Sequence, residues 1–357
     1  MDQNSFYTSV ISLFSLVALL VTILVAKYSD RIKDGIFLDK DFLKPQAFHE
    51  KPVARAGGVS IFFILLIFFI LYFLLFNKFL IDYFTISLLF FTLGFLDDIK
   101  IKINPNIRLF IMLLILIFCI NLFSIEINKS GLEFLNIWLS NKLFQTCFVL
   151  LCFLFIINGA NLIDGFNGLL AIHFIIINSI LLSLNLAYDD QSINLILIVQ
   201  LITVFCFLLF NFPKSKIFLG DSGSYLLGSI TALNTIKTYE LIPNVSPFFF
   251  AIILFYLFFE VFFSFIRKAI KKKSPLKPDK HHFHMLLYNM LKKSKIPSDP
   301  NYTTSILINV SYLILLVPAI IFQNHGVFLR YWFFALIIFY SLFYLFLFKR
   351  EDNDESI

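Results

Sequence analysis

The sequence predicts an all-α, polytopic membrane protein, and two observations lead to that prediction. Hydrophobic residues make up 59% of the 357 residues, whereas a typical soluble domain contains about 45–50%. The excess is concentrated in runs of roughly 17–22 residues, the helix length that crosses a hydrocarbon core about 30 Å thick. The chain shows neither an internal repeat nor a Pro/Gly/Ser-rich linker, so we predict one integral membrane domain over residues 1–357.

The apolar runs place eleven spans along the chain, of which the fifth and the eighth are short. The predicted spans are 7–26, 57–76, 79–96, 107–125, 143–157, 165–185, 193–211, 220–236, 247–266, 303–322 and 329–348. Four cysteines, Cys119, Cys147, Cys152 and Cys206, fall inside apolar runs with no CxxC spacing, and we expect them to be free.

The distribution of basic residues predicts the orientation. With the N-terminus outside and the C-terminus cytoplasmic, the inside segments contain 24 of the 29 Lys and Arg residues. Positive charge accumulates in cytoplasmic loops of membrane proteins, so this split also supports the number of spans. The same loops explain the net charge of +6 without nucleic-acid binding.

Five polar clusters interrupt the apolar pattern, and each lies on a predicted cytoplasmic segment. They are HEKPVARAGG at 49–58, GFLDD at 94–98, NGANLIDGFNG at 158–168, FLGDSGS at 218–224 and PDKHHFH at 278–284. Together they supply carboxylates, basic residues and glycines at one membrane face, which is what a reaction between a soluble diphosphate and a lipid phosphate requires.

Each acidic cluster has a structural alternative. Asp97 and Asp98 end an apolar helix, where they are either a solvated terminus or paired with a cation. Asp164 suits a turn or cap, and Asp221 suits the start of a helix. Mg²⁺ takes oxygen ligands and commonly binds one or two carboxylates plus substrate phosphates, so the aspartates together favour a magnesium site.

The basic loop holds His282 and His284 close to Asp279. Zinc sites add Cys or further His at regular spacing, and the loop has neither, so we expect phosphate contact or a structural latch. Charges on a secondary transporter would lie near the membrane midplane. Glu260, inside the ninth predicted span, is the exception to the pattern of charges at helix ends and receives no role from the sequence.

The combination of LDD, NxxNLIDGxNGL, FLGDSGS and PDxxHxH, in that order, resembles the polyprenyl-phosphate N-acetylhexosamine-1-phosphate transferase family. The resemblance extends from about residue 45 to residue 290. It implies a catalytic role for Asp97, Asp98 and Asp221, with the aspartate pair near the carrier phosphate and one of them a proposed general base. It also implies that Asp221 and Asp97 bind Mg²⁺, with Mn²⁺ as a substitute.

The resemblance also implies a set of substrate-binding residues. Asn161 and Asp164 match the nucleotide-sugar loop, and Phe218 matches an aromatic residue that stacks on uracil. The remaining matches are Lys51 and Arg55 in the first basic loop and His282 and His284, which the family places against the diphosphate or sugar. Ala54, Arg108, Asn167 and Met285 depart from the usual proline, lysine, aspartate and histidine.

The resemblance predicts transfer of an N-acetylhexosamine-1-phosphate from a UDP-sugar to undecaprenyl phosphate, with release of UMP, at the cytoplasmic face of a bacterial inner membrane. The glycan would be a lipid-linked surface polysaccharide such as O-antigen or a cell-wall glycan. The expected partners are the UDP-N-acetylhexosamine, undecaprenyl phosphate and the bilayer, with no nucleic acid and with a homodimer left open. Phospho-N-acetylmuramoyl-pentapeptide transferase (translocase I) is the alternative enzyme, and a secondary transporter is the alternative outside enzymes.

Overall fold

The computed structural model describes residues 3–32, 35–39, 52–101, 103–188, 190–272, 274, 279–294 and 296–355. These residues form fourteen helices and three very short strands. The helices are α1 (Gln3–Tyr28), α2 (Gly57–Phe76), α3 (Ile81–Asp98), α4 (Pro105–Leu122), α5 (Glu133–Leu139), α6 (Lys142–Ile163), α7 (Leu169–Asn185), α8 (Gln191–Asn211), α9 (Gly220–Leu241), α10 (Pro247–Ile253), α11 (Phe255–Ile270), α12 (Phe283–Ser294), α13 (Pro300–Ile321) and α14 (Gly326–Glu355). The strands are β1 (Leu38–Asp39), β2 (Val53–Arg55) and β3 (Ile217–Phe218).

The helices confirm an all-α, multi-pass membrane protein. Seven helices of the described chain are long and apolar enough to cross a membrane, or eight if α10 and α11 count as one span. Each of the eleven predicted spans coincides with a helix or with that pair. The three remaining helices, α3, α7 and α9, are shorter or carry more polar residues than the seven.

The structure lengthens two of the predicted spans and bends a third. The fifth and eighth spans become α6 and α9 of 22 residues each, about 33 Å long at 1.5 Å per residue. The ninth span is not one straight helix, because α10 and α11 meet at an angle of 75° around Leu254. After that bend, Glu260, Ser264 and Lys268 are buried along one side of α11, while Phe262 and Phe265 are exposed on another. This two-faced pattern lets α11 run along the protein with an apolar side outward.

Helix α9 lies at the centre of the bundle and positions the candidate site. Nearly all of its side chains are buried, and it packs against α2, α3, α6, α7 and α8. Small residues make this close packing possible: a Cβ on Gly58 of α2 would lie 2.8 Å from the Cα of Gly223, and one on Gly228 would lie 2.9 Å from the Cα of Ile157 on α6. Helix α9 therefore lies directly against α2 near its first turn and against α6 farther along.

A three-stranded sheet at one end of the bundle joins the first polar cluster to the fourth. Strand β2 pairs antiparallel with β1 and parallel with β3, which brings Arg55 into register with Phe218. The backbone N–H of Gly58 also donates a 2.8 Å hydrogen bond to the carbonyl of Leu219. This sheet fixes segments that lie more than 150 residues apart in the sequence.

Candidate active site

The end of α3 meets the start of α9 through Asp98. Both carboxylate oxygens accept hydrogen bonds: Oδ1 from the backbone N–H of Asp221 at 3.0 Å, and Oδ2 from the backbone N–H and hydroxyl of Ser222 at 2.9 and 2.5 Å. The side chain is 3% exposed. A carboxylate is favoured at a helix N-terminus because the free N–H groups and the helix dipole attract negative charge. Asp98 therefore holds the first turn of α9, and with it Asp221, in place.

Asp97 faces a different neighbour. One of its carboxylate oxygens accepts a 2.5 Å hydrogen bond from Nη1 of Arg108 on α4, and the same nitrogen lies 3.3 Å from a carboxylate oxygen of Asp221. The guanidinium also lies over the ring of Tyr225, 5.8 Å from its centroid. Arg108 is thus the counter-ion shared by two of the three predicted catalytic aspartates.

Helix α6 brings the third polar cluster to the same place. Nδ2 of Asn161 donates to Oδ1 of Asp221 and to the hydroxyl of Ser224, both at 3.0 Å. Asp164 caps the end of α6, and burial and then the nearby charge of Asp221 raise the pKa of its carboxyl to about 8, although Arg55 opposes the shift. Asn161 and Asp164 therefore lie in the same cluster as Asp221.

The sheet adds the predicted nucleotide-binding residues. Arg55 donates from Nε and Nη2 to one carboxylate oxygen of Asp39, at 3.0 and 2.6 Å, and lies beside Phe218 in the next strand. Phe218 is half-buried and lies two residues before Gly220, the first residue of α9. Lys51, the other predicted basic residue of this loop, lies outside the described residues.

The two predicted histidines lie deeper than the sequence suggests. The side chain of His282 is 2% exposed and that of His284 is fully buried. Burial lowers the pKa of His284 to about 3, so its imidazole is neutral. Their rings stack at 5.6 Å, and Phe166, from the loop after Asp164, packs edge-on against His284. His284 thus contacts the loop predicted to bind the nucleotide sugar, while the contacts described for both histidines do not include the aspartates.

The glycines of these clusters serve helix packing. Protein atoms fill the space beside most of them. A Cβ on Gly57 would lie 2.8 Å from the carbonyl oxygen of Phe218, and one on Gly94 would collide with the backbone of Asp221. These glycines therefore allow close approach of neighbouring backbones, while Gly165, with no atom within 4 Å of its Cβ position, faces open space.

Three contributing residues escape sequence reasoning. In the sequence, Arg108 is only a position where the family usually has lysine, and nothing marks it as a counter-ion of the aspartates. Asp39 lies in a polar segment with no motif. Ser222 was part of the GDSGS cluster, but only the fold shows it bound to Asp98. The available signal was the recurrence of charged residues at the ends of apolar helices, which marks functional positions in membrane proteins.

The donor set fits Mg²⁺ shared with a substrate rather than a closed protein cage. Among the residues that the structure describes, no group of three or more His, Cys, Asp and Glu is arranged to hold a metal. Asp97 and Asp221 nevertheless offer oxygen donors around one shared guanidinium. Mg²⁺ commonly combines one or two carboxylates with substrate phosphates, which matches this arrangement.

Apart from the polar site, an apolar cavity of about 300 Å³ lies between α6, α9 and α10. On α9 it is lined from Ala232 to Tyr239, so it begins eleven residues, or about 16 Å, beyond Asp221 along the helix. Almost all of its lining is apolar, including Phe155, Phe248 and Phe258. It is therefore distinct from the polar cluster and has no ionisable group suited to phosphate chemistry beyond Lys129 at its edge.

Comparison with known proteins supports the resemblance seen in the motifs. Residues 80–239 match the model of glycosyl transferase family 4. The chain is 29% identical over 247 residues to the undecaprenyl-phosphate alpha-N-acetylglucosaminyl 1-phosphate transferase of Thermotoga maritima, covering 69% of this chain and 72% of that protein. A probable undecaprenyl-phosphate N-acetylglucosaminyl 1-phosphate transferase of Bacillus subtilis is 30% identical over 198 residues, covering 54% of this chain and 53% of that protein.

A relative with another activity aligns over more of its length. The phospho-N-acetylmuramoyl-pentapeptide-transferase of Dictyoglomus turgidum is 27% identical over 288 residues, covering 78% of this chain and 90% of that protein. Residues 80–239, which match the family model, extend from α3 into the last turn of α9 and so include the aspartate cluster. The comparisons therefore confirm the family resemblance, and the relatives carry two different activity names.

Proposed function

We propose that this chain transfers an N-acetylhexosamine-1-phosphate from a UDP-sugar to undecaprenyl phosphate. The comparisons confirm its resemblance to the polyprenyl-phosphate N-acetylhexosamine-1-phosphate transferases. The observation that carries the proposal is the meeting of Asp97, Asp98, Asp221 and Asn161, from three helices, around one end of α9. The names of the two N-acetylglucosaminyl relatives support this substrate class.

Asp221 and Asp97 are the residues that would hold Mg²⁺ in this proposal. The metal, when bound, neutralises diphosphate charge and stabilises the leaving group. Asp98, whose oxygens are already occupied by α9, acts as a positioning residue rather than a base. Arg108 neutralises the two carboxylates in the free enzyme and is close enough to contact an incoming phosphate instead.

The reaction forms one bond and breaks one. An oxygen of the lipid phosphate attacks the β-phosphorus of the UDP-sugar, the bond from that phosphorus to the bridging oxygen breaks, and UMP leaves. A phosphate monoester has a second pKa near 6, so it is largely ionised at neutral pH and needs no strong base. Arg55 and Phe218 would bind the nucleotide, and Asn161 and Asp164 the diphosphate and sugar.

The location follows from the same proposal. The polar cluster lies at the ends of helices that the basic-residue count assigns to the cytoplasmic face, where UDP-sugars are available. Undecaprenyl phosphate would reach the site laterally through the bilayer of a bacterial inner membrane. The product would begin a lipid-linked glycan such as O-antigen or a wall polymer.

The test measures UMP release by membranes that contain the protein, with undecaprenyl phosphate and either UDP-GlcNAc or UDP-MurNAc-pentapeptide. Turnover of UDP-GlcNAc is expected, and turnover of the pentapeptide substrate alone would identify translocase I activity instead. Asp221→Asn and Asp97→Asn should each lower turnover by at least about 100-fold, because each removes a charge that acts on the reacting phosphates. EDTA should abolish it, whereas a proton-coupled transporter need not respond. Near wild-type activity in both variants would refute the site assignment.

A further inference from the structure

Glu260 is a buried carboxylate to which the proposed function gives no part. It lies on α11 with 2% of its side chain exposed. Oε1 accepts hydrogen bonds from Nδ1 of His282 and from the backbone N–H of Phe283, both at 3.1 Å, and Oε2 accepts one from the hydroxyl of Tyr340 on α14. Because Phe283 is the first residue of α12, Glu260 also places a negative charge at the N-terminus of that helix.

The other charges of this region pair among themselves. Arg267 lies 2.7 Å from a carboxylate oxygen of Asp279, and Nδ1 of His281 lies 2.8 Å from the other oxygen. Burial alone would raise the pKa of Asp279, but His281 and Arg267 outweigh burial and hold that pKa well below its usual range. Asp279 is thus the partner of Arg267 and His281, while the contact described for Glu260 is with His282.

The contact with Glu260 decides which nitrogen of His282 is available. A carboxylate can only accept, so Nδ1 carries a proton toward Glu260, and Nε2 is the nitrogen left to act elsewhere. The ring of His282 lies parallel to that of His284, at an interplanar angle of 3°. Nε2 of His284 is buried without a hydrogen-bond partner among the described residues.

The histidine pair is also connected to the substrate loop. Phe166 packs against His284, 5.6 Å between ring centroids, and against Tyr288 at 5.2 Å. Phe166 belongs to the loop that begins with Asp164 and ends with Gly168. A rotation of the His284 imidazole would therefore displace Phe166 and the loop that carries Asp164.

We infer that Glu260 is a positioning residue, which acts through His282 and the start of α12 to hold the histidine segment against the loop that carries Asp164, in the proposed site of the UDP-sugar substrate. The inference rests on the proposed function for the identity of that substrate. Glu260 does not touch the substrate itself. The three donors around its carboxylate join α11, α12 and α14, so one buried charge sets the orientation of the whole histidine segment.

The test is a double-mutant cycle on the purified full-length protein, with Glu260→Gln, His282→Gln and the double variant. Each is measured by UMP release, by the KM for the UDP-sugar and for undecaprenyl phosphate, and by calorimetric titration with UDP. Glu260→Gln should raise the KM for the UDP-sugar and weaken UDP binding by about 10–100-fold, the effect of losing a hydrogen bond to a charged group, without changing the KM for the lipid. In the His282→Gln background the same substitution should add less than threefold, because residues that act through one another are not additive.

The controls separate positioning from a general loss of structure. Glu126→Gln removes a carboxylate that pairs with Lys142 at the opposite end of the bundle, and it should leave both KM values unchanged. Glu260→Asp keeps the buried charge but draws it away from Nδ1, so it should reproduce the KM effect in a protein that folds. An undiminished effect of Glu260→Gln in the His282→Gln background, or wild-type KM values in both Glu260 variants, would overturn the inference. A wild-type protein that binds UDP but releases no UMP would reject the proposed function alone.

Discussion

Gly220 offers a sharp test of how the site is held together. Its φ is +78°, a left-handed conformation that costs a residue with a side chain about 1–2 kcal/mol. A Cβ at this position would lie 2.6 Å from Oδ2 and 2.7 Å from Oδ1 of Asp98. Ordinary van der Waals contact begins near 3.4 Å, so the Asp98 carboxylate must move by about 0.8 Å. That carboxylate holds the N–H groups of Asp221 and Ser222, so the displacement reaches Asp221 directly.

We therefore expect Gly220→Ala to lower the activity of the folded protein by about 100-fold, the typical effect of misplacing catalytic groups by about 1 Å. The assay is UMP release per folded molecule, with the folded fraction measured by thermal unfolding in detergent. Stability should fall by about 1–3 kcal/mol from the strained φ and the crowding.

Two other Gly→Ala substitutions serve as matched controls. Gly131 has nearly the same φ, +77°, and its Cβ position meets only the side chain of Phe248, at 3.0 Å, and that of Pro247 at 3.9 Å. Gly131→Ala should therefore lose stability without losing activity per folded molecule. Gly326→Ala should change neither, since the nearest atom is Oγ of Ser246 at 3.4 Å. If Gly220→Ala and Gly131→Ala have equal activity within twofold, the proposed connection through Asp98 is refuted.

Three further substitutions test the surrounding residues. Arg108→Gln removes the cation shared by Asp97 and Asp221 and should lower turnover by about 10–100-fold. Arg108→Lys should recover part of the lost turnover. Equal activity of both variants and the wild type would contradict this role of Arg108. Because the pKa of Asp164 is raised to about 8, the folded protein holds a proton that the unfolded chain releases near pH 4, so stability should fall as pH rises between these values. Asp164→Asn should weaken this dependence and unfold at a higher temperature than the wild type at pH 8, measured without divalent ions, while losing activity. Phe218→Ala should raise the KM for the UDP-sugar by about 5–100-fold through lost base stacking, with kcat within twofold; an unchanged KM would place the uracil elsewhere.

The predicted spans agree with the helices because span length is a local property. A run of about 20 apolar residues must form a helix in the bilayer, whatever its neighbours are, since lipid offers no partner for backbone N–H and C=O groups. The bend at Leu254 escaped prediction for the same reason. The segment 247–266 is apolar throughout its first half, so composition alone does not distinguish one straight span from two helices that meet at 75°.

The sequence by itself determined that aspartates, asparagines and basic residues gather at the ends of apolar helices, and the order of the motifs indicated their chemistry. Only the tertiary structure decided what each one touches. Consecutive residues project about 100° apart around a helix, so the neighbours Asp97 and Asp98 face Arg108 and the start of α9 respectively. Partners on other helices, more than 100 residues away in the chain for Asp98, cannot be read from local pattern. For the same reason Glu260, an isolated charge in the sequence, acquires its three hydrogen-bond donors only when α11, α12 and α14 come together.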